Sequence, residues 1–588
     1  MGTISDKLMR IINTKEDIRQ ALISKGYDVP TSIPFKEYAK MISDLPCRVD
    51  SFPDIEGVVA RYSALGLTNE QMATNPVWVD KTGNGHDLQM KNFFWGGMSG
   101  VGGYVQDFNY FRNNATVDKI RIDEQNSNSI KVTILTTGIG NAIYIPKNIY
   151  QFNKSYFIKI SSEGYDEGDM ALSFYAPSTS TATTVTVSLN PNGVTEIPAI
   201  KEDDFLAVYI NVSGKVGSFT VEQLPLYPGA LVFDGVDDWA GCDNLPLLPK
   251  EKGYSIIALR NWITRYDATR YKRPLISNLD TNYEGAFLIE YRKDENVNDV
   301  TGSYNSFTDV YIDDNNPITW QTLSSYNGQI IKKGTSKSTN KLCICKTYFG
   351  QLSNYANAAI WEIVILDHDA TEEELTKIKD YFVKTYPWLF PDQAWTVTGK
   401  TNEDEDRATI ANITGNGNDL ILSNFGFAEG SGYNEEGEYA GYLVTDGVDD
   451  KIVSSSFGMG KDFTIVGDWK FIDNKKSGTG LVKGSSFYIY NTMTGLDLYI
   501  NSGSVKNSLD GIKSINAACS DGRAYDRNWN EILANTGNVV GSGGTLEVSS
   551  SGGRFDRIAF KNLAIYPRIL SKDDCIKAYN YLQTLKSK

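Results

Sequence analysis

The sequence predicts a mainly β chain: an N-terminal helical segment, then two copies of one strand-rich sandwich, the first copy interrupted by a smaller inserted β-sandwich. Three observations carry this. The stretch TGNGHDLQMKNF (Thr82–Phe93) returns as TGNGNDLILSNF (Thr414–Phe425), with eight of the twelve residues identical. FDGVDDWA (Phe233–Ala240) returns as TDGVDDKI (Thr445–Ile452). Tyr (34), Phe (25), Trp (10) and Gly (52) are abundant, a mixture that favours strands joined by tight turns. A chain of 588 residues is also too long for one core.

The N-terminal segment, residues 1–50, carries Leu8, Ile11, Ile12, Ile18, Ala21 and Leu22 at helical spacing, and Lys25-Gly26 ends that pattern. Ser32-Ile33-Pro34 opens a second helix with Phe35, Tyr38, Met41 and Ile42. Two short helices cannot bury this much apolar surface between themselves. They are expected to pack on another chain, as a homodimer or homotrimer.

The repeat spacing then defines the domains. It is 332 at the GNG turn, 212 at Asp234/Asp446 and 200 at Thr371/Ser571; 332 less 212 leaves 120 extra residues in the first copy. That is a domain-sized insertion. The boundaries drawn are 51–106 with 225–391 for the first sandwich, 107–224 for the insert and 392–588 for the second sandwich. Within the insert SIKVTIL, KSYFIKI and TTVTVSL alternate as strands, separated by Gly, Asn and Pro clusters. Tyr326-Asn327-Gly328-Gln329 reads as a hairpin inside the first sandwich. Each copy closes on a strand and an amphipathic helix. Thr371 with Glu374, and Ser571 with Asp574, have capping-box spacing, and Leu375, Ile378, Tyr381 and Phe382 share one helix face.

Charge and composition exclude several functions. A formal charge of −15 without a basic stripe argues against nucleic acid as partner. No apolar run reaches spanning length, and the N-terminus lacks a signal peptide's form, so no membrane insertion is expected. MGTISD has Asp6 where a myristoylation signal needs Ser or Thr. Six cysteines cannot staple a chain of 588 residues, and a metal site at Cys343 and Cys345 would need further Cys or His ligands, the only histidines being His86 and His368. Cys343 and Cys345 are expected to be buried reduced thiols, in a protein made in a reducing cytoplasm.

No catalytic residues are assigned. There is no E-x-D-x-x-E strand of the kind that aligns carboxylates for glycoside hydrolysis, no G-x-S-x-G and no H-E-x-x-H; TNEDEDRA lacks the spacing. The DGVDD carboxylates could offer oxygens to Ca²⁺, but the favoured reading is structural, with no metal. Asp234-Gly235 and Asp446-Gly447 then form turns, as do Asn84-Gly85 and Asn416-Gly417. His86 becomes Asn418 in the second copy, which argues against an essential ligand. For sugar binding, which uses aromatic faces beside amides or carboxylates, Trp320, Tyr326, Tyr525 and Trp529 are the candidates, each competing with a role in packing.

The FDGVDD turn, the strand-rich middle and the closing strand-plus-helix resemble laminin-G/concanavalin-A-like jelly rolls. RYSALGLTNE, DKTGNGHDLQMKNFFW and LPLYPGALVFDGVDD together resemble virion structural proteins of tailed phages of gut Bacteroidales, including crAss-like phages. TKEDIRQALISKGYDVPTSIPFKEYAKMISDL resembles the short helical head of many phage fibre and tail proteins. These resemblances cover most of the chain, the insert least. They imply a non-enzymatic head or tail fibre, or capsid decoration protein, at the virion surface. Its lectin-like domains would adhere to bacterial surface polysaccharide while residues 1–50 contact other virion proteins. The alternatives are a purely structural bridge between capsid or tail subunits, and a capsule depolymerase.

Overall fold

The computed structural model describes Lys15 and residues 52–585, apart from short breaks and internal stretches, chiefly 265–271, 281–286, 293–304, 309–318, 325–337, 347–354, 501–507 and 534–544. The candidate assembly residues Leu8, Ile11, Ile12, Ile18, Leu22, Phe35 and Tyr38 lie outside the described residues, as does Tyr326.

Antiparallel sheets dominate. In the first repeat one sheet runs Thr319–Ser324, Ser255–Thr264, Asn357–Leu366, Leu231–Asp234, Gly100–Val101, with Val58–Ser63 also paired to Asn357–Leu366. The facing sheet runs Val77–Trp78, Leu88–Lys91, Trp239–Cys242, Leu342–Ile344, Lys272–Ser277, Phe287–Arg292, Asn305–Thr308. Tyr62, Trp78, Leu88, Phe233, Ile256, Ile360 and Ile363 fill the space between them. Full burial of each such side chain contributes about 1.5–3 kcal/mol. Cys343 and Cys345 are buried free thiols in this repeat.

The second repeat builds two eight-stranded sheets around Trp395, Leu420, Ile452, Trp469, Phe560 and Leu563. The duplication extends to its irregularities. Ser255 pairs with Leu366, and the ladder slips between Leu259 and Arg260 and again between Trp262 and Thr264. Thr464 pairs with Tyr566, and the ladder slips between Asp468 and Trp469 and again between Phe471 and Asp473. Each bulge therefore sits at the same place in both copies, where it reverses which face the following residues take.

Among the described residues, the strands between Arg112 and Gln223 pair only with one another, as two five-stranded sheets. Phe108, Ile130, Ile143, Ile158, Phe174 and Phe219 belong to a core of their own. The chain leaves and re-enters the first repeat at adjacent points: Gly102 N donates to Ala230 O at 2.8 Å, and Tyr227 N to Gly102 O at 2.8 Å. Adjacent ends let a folded domain sit there without opening the host sheet.

Both closing helices start on reciprocal caps. Thr371 N donates to Glu374 Oε2 at 2.8 Å, while Glu374 N donates to Thr371 Oγ1 at 3.3 Å. Asp574 N donates to Ser571 Oγ at 3.1 Å, and that hydroxyl donates to Asp574 Oδ2 at 2.7 Å. The helices span Glu372–Thr385 and Lys572–Leu582. Residues 55–375 and 386–588 form one compact unit. Thr376–Thr385 belong to a second, where the Tyr381 ring stands edge-on to Phe52 at 5.2 Å. Among the described residues, no helix is long and apolar enough to cross a membrane.

Candidate functional site

The repeated motifs hold each other. Asn84 Nδ2 donates to Val59 O at 3.0 Å and Asn416 Nδ2 to Asp392 O at 2.7 Å, tying each GNG turn back to its own repeat. Gly85 and Gly417 lie at φ +82° and +73°, a conformation that favours glycine. Downstream, Asn92 and Asn424 both adopt positive φ, and their Nδ2 groups donate at 3.0 Å to Asp237 O and Asp449 O. The asparagine of KNF and SNF thus clamps the DGVDD turn. Sequence reading missed this link, although both asparagines stand at the same place in the repeated stretch.

The acidic turns are built alike. Asp234 Oδ1 accepts from Val236 N at 2.7 Å and Asp237 N at 3.3 Å, and Asp238 Oδ2 accepts from Asp234 N at 3.0 Å. Asp446 Oδ1 accepts from Val448 N at 2.7 Å, and Asp450 Oδ2 from Asp446 N at 2.8 Å. Gly235 and Gly447, at φ +74° and +73°, complete the turns. Asp234, Asp237 and Asp238, and likewise Asp446, Asp449 and Asp450, gather carboxylate oxygens within 4.8 Å. Those oxygens could hold a Ca²⁺, yet most of their bonding is spent on the turn backbone. Asp238 Oδ1 is buried without a hydrogen bond, and burial followed by the Asp234 charge pushes Asp238 up to about 8. Asp450 Oδ1 accepts from Ser431 Oγ at 3.1 Å, and burial raises Asp450 only to about 6.

Two of the aromatic sugar candidates, Tyr525 and Trp529, need correction. Tyr525 is 0% and Trp529 1% exposed, and Trp529 stands edge-on to Tyr579 at 5.6 Å. Packed rings offer no face to a sugar. Trp320 lies in the strand opposite Leu259, and its side chain is not among the described residues.

What the structure does bring together is a cleft of 310 Å³, at the foot of which the insert meets the second repeat. The Asp526 side chain holds the turn behind one wall: its Oδ1 accepts from Asn528 N at 2.9 Å and Asn530 N at 2.8 Å. That turn sends Trp529 inward, at φ +60°, and leaves Arg527 and Asn528 on the cleft. Strand Thr464–Asp473 supplies Lys470, the closing helix Tyr579, and the insert Phe157, Thr195 and Glu196. Phe157 packs edge-on against Tyr579 at 5.2 Å, and Arg527 Nη2 reaches Glu196 Oε2 at 3.4 Å.

Beneath the cleft the charges continue. Tyr442 Oη donates to the buried Asp468 Oδ2 at 2.9 Å, and the Lys470 and Lys561 ammoniums lie 4.5 and 5.6 Å from the centre of the Tyr442 ring. Burial drives the Lys470 ammonium down. Burial, then the Asp468 charge, drives Glu196 up. A raised carboxyl near a second carboxylate is an arrangement hydrolases use. Here Asp468 does not line the cavity, and its Oδ2 accepts from the Tyr442 hydroxyl. The arrangement suits binding of a polar ligand through donors, acceptors and one aromatic wall.

No family model matches the sequence, and no curated protein matches it. Among solved structures the chain is similar to a Trypanosoma rangeli sialidase at 10% identity, over 41% of this chain and 42% of that one, with a TM-score of 0.23. The alignment therefore spans about two-fifths of that chain. Another Trypanosoma rangeli sialidase structure aligns over 83% of this chain and 98% of that one at 8% identity and a TM-score of 0.24. The binding domain of botulinum neurotoxin serotype D aligns over 59% and 89%, at 10% identity and a TM-score of 0.21. Scores this low bear on neither fold nor chemistry.

Proposed function

We propose that this chain is a non-catalytic adhesion protein of a tailed-phage virion, a fibre or decoration protein whose sandwich domains bind bacterial surface polysaccharide. The observation that carries the adhesion reading is the polar cleft, lined by Arg527, Lys470, Glu196, Asn516 and Asn528 beside Tyr579, on a scaffold of packed sandwiches. Supporting the virion reading are the resemblances of the repeated motifs and of residues 1–50, which in this reading assemble two or three copies and attach them to other virion proteins. Multivalent display would turn weak single-site binding into firm adhesion. The absence of a spaced nucleophile or carboxylate pair in the sequence supports binding without turnover.

The test is retention of the full-length protein on polysaccharide purified from susceptible and resistant bacterial strains, with reducing ends assayed in parallel. Retention on the susceptible polysaccharide without release of reducing ends is the expected result. Absence of retention on every polysaccharide would favour a structural bridge between virion subunits, and steady release of oligosaccharide would reveal a depolymerase.

A further inference from the structure

Resting on the adhesion reading, we propose that the cleft between the insert and the second repeat takes an acidic sugar residue, with Arg527 and Lys470 holding its carboxylate.

The first argument is divergence between the repeats. Strand register makes Leu259 the counterpart of Asp468, since they lie opposite Glu362 and Asn562, which themselves correspond. By the same ladders Asn261 corresponds to Lys470, Trp361 to Lys561, and Ala230 to Tyr442. In the first repeat these four positions are Ala230, Leu259, Asn261 and Trp361, all buried, beside the internally paired Arg61 and Glu362. Trp361 there donates Nε1 to Pro228 O at 2.9 Å and meets the Tyr581 ring at 6.3 Å. The second repeat has replaced a packing face with Tyr442, Asp468, Lys470 and Lys561. Packing does not require that change.

The second argument is charge. Lys470, Lys561 and Arg527 face Asp468 and Glu196, an excess of one positive charge, within a chain whose formal charge is −15. The half-buried Lys470 makes no ion pair within 4 Å among the described residues; its contact is the Tyr442 ring. Partly burying an ammonium without a carboxylate partner is costly, and an incoming anion would offset that cost. Arg527 spends one nitrogen on Glu196 at 3.4 Å, with 43% of its side chain exposed, so its fork remains available to a carboxylate.

The third argument is size and lining. A cavity of 310 Å³ stands at the lower limit of about 300 Å³ for ligand sites. That admits one sugar residue and leaves its neighbours outside. Tyr579 and Phe157 offer C–H-facing apolar surface, while Asn516, Asn528, Ser188 and Thr195 offer hydroxyl partners.

The experiment titrates the full-length protein by calorimetry with hyaluronan tetrasaccharide (a uronate), sialyllactose (a nonulosonate) and uncharged maltotetraose. The same titrations use Arg527→Gln, Lys470→Gln and Glu196→Gln, each first shown to melt like the unaltered protein. At least one acidic sugar should bind more tightly than maltotetraose, and which one identifies the acid. Arg527→Gln and Lys470→Gln should each weaken it by about tenfold, the loss of one charged hydrogen bond. Glu196→Gln, which frees the guanidinium from its internal partner, should tighten it. Maltotetraose binding equally well would overturn the acidic class and leave the adhesion reading standing. Acidic binding unchanged by Arg527→Gln would place the site elsewhere. No binding of any sugar would remove the cleft as a site, while retention on whole polysaccharide would still decide adhesion separately.

Discussion

The two repeats share ladders, bulges, caps and turn clamps, yet they bury opposite kinds of polar group at the same place. In the first, Glu362 is fully buried beside Arg61, whose Nε lies 3.3 Å from Glu362 Oε2, and the Tyr386 hydroxyl donates to Glu362 Oε1 at 2.9 Å. In the second, the corresponding positions are Ala394 and Asn562, both uncharged. Asn562 Oδ1 accepts from Asp468 N at 3.1 Å, and its Nδ2 donates to Leu582 O at 3.4 Å. The sandwich therefore needs a hydrogen-bonded group beside its bulge but not a charge. Once that requirement is met neutrally, the neighbouring face is free to take Asp468 and Lys470 for another purpose.

The comparison breaks most sharply at Glu362. Glu362→Ala strands a buried guanidinium and should cost about 3–5 kcal/mol, read as early urea unfolding of the first repeat by hydrogen exchange. Replacing Arg61 and Glu362 together by Met and Leu should recover most of that loss. Asn562→Ala should cost less, about 1–3 kcal/mol, since it leaves unsatisfied amides and no charge. Equal losses from Glu362→Ala and Asn562→Ala would show that charge has no special part in the first repeat.

A smaller effect separates the acidic turns by pH. The Asp238 pKa is raised in the folded state from 3.8 to about 8, so the stabilising contribution of its protonated form is complete below 3.8 and lost as pH rises through about 8. For Asp450 the same loss is finished by about 6. Melting temperatures between pH 5 and pH 9 should therefore fall more steeply for the natural protein than for Asp238→Asn. Asp450→Asn should leave the slope above pH 7 unchanged. A slope indifferent to Asp238→Asn would mean the first turn carries no buried acid.

The smallest effect lies at the closing helices. His368 sits between Asp367 Oδ1 at 3.1 Å and Glu374 Oε1 at 3.2 Å; the corresponding residue, 200 positions on, is Arg568. Burial pulls His368 down, but the two carboxylates outweigh it and hold it above 6.5. Its contribution is complete below 6.5 and is lost as pH climbs through the raised value. The ring is partly exposed, so His368→Gln should cost under about 1 kcal/mol at pH 6 and nothing at pH 9, by thermal melting. A cost that persists at pH 9 would show packing, not charge, at work.

Much of the frame was legible in the sequence because local chemistry repeats with it. The mainly β class, the capping boxes at Thr371 and Ser571, and the GNG and DGVDD turns each follow from residues close together. The cleft was not legible. Glu196 and Arg527 stand 331 residues apart, and nothing near either names the other. Tyr525 and Trp529 misled for a related reason: an aromatic beside Asn and Asp reads the same whether it faces water or fills a core. One signal was available. Setting Leu259 against Asp468 and Trp361 against Lys561 exposes two charged residues where the first copy has apolar ones.

The 331-residue separation of Glu196 and Arg527 also sets an order of events during synthesis. At about 5–20 residues per second, the insert leaves the ribosome roughly 17–66 s before the loop that completes the cleft. Until then the Glu196 wall faces water with no guanidinium opposite it. A chain cut short anywhere before Arg527 could carry both sandwiches of the first half and still lack this cleft. The cleft thus forms late: its walls come together only once the chain has reached Arg527 and Tyr579.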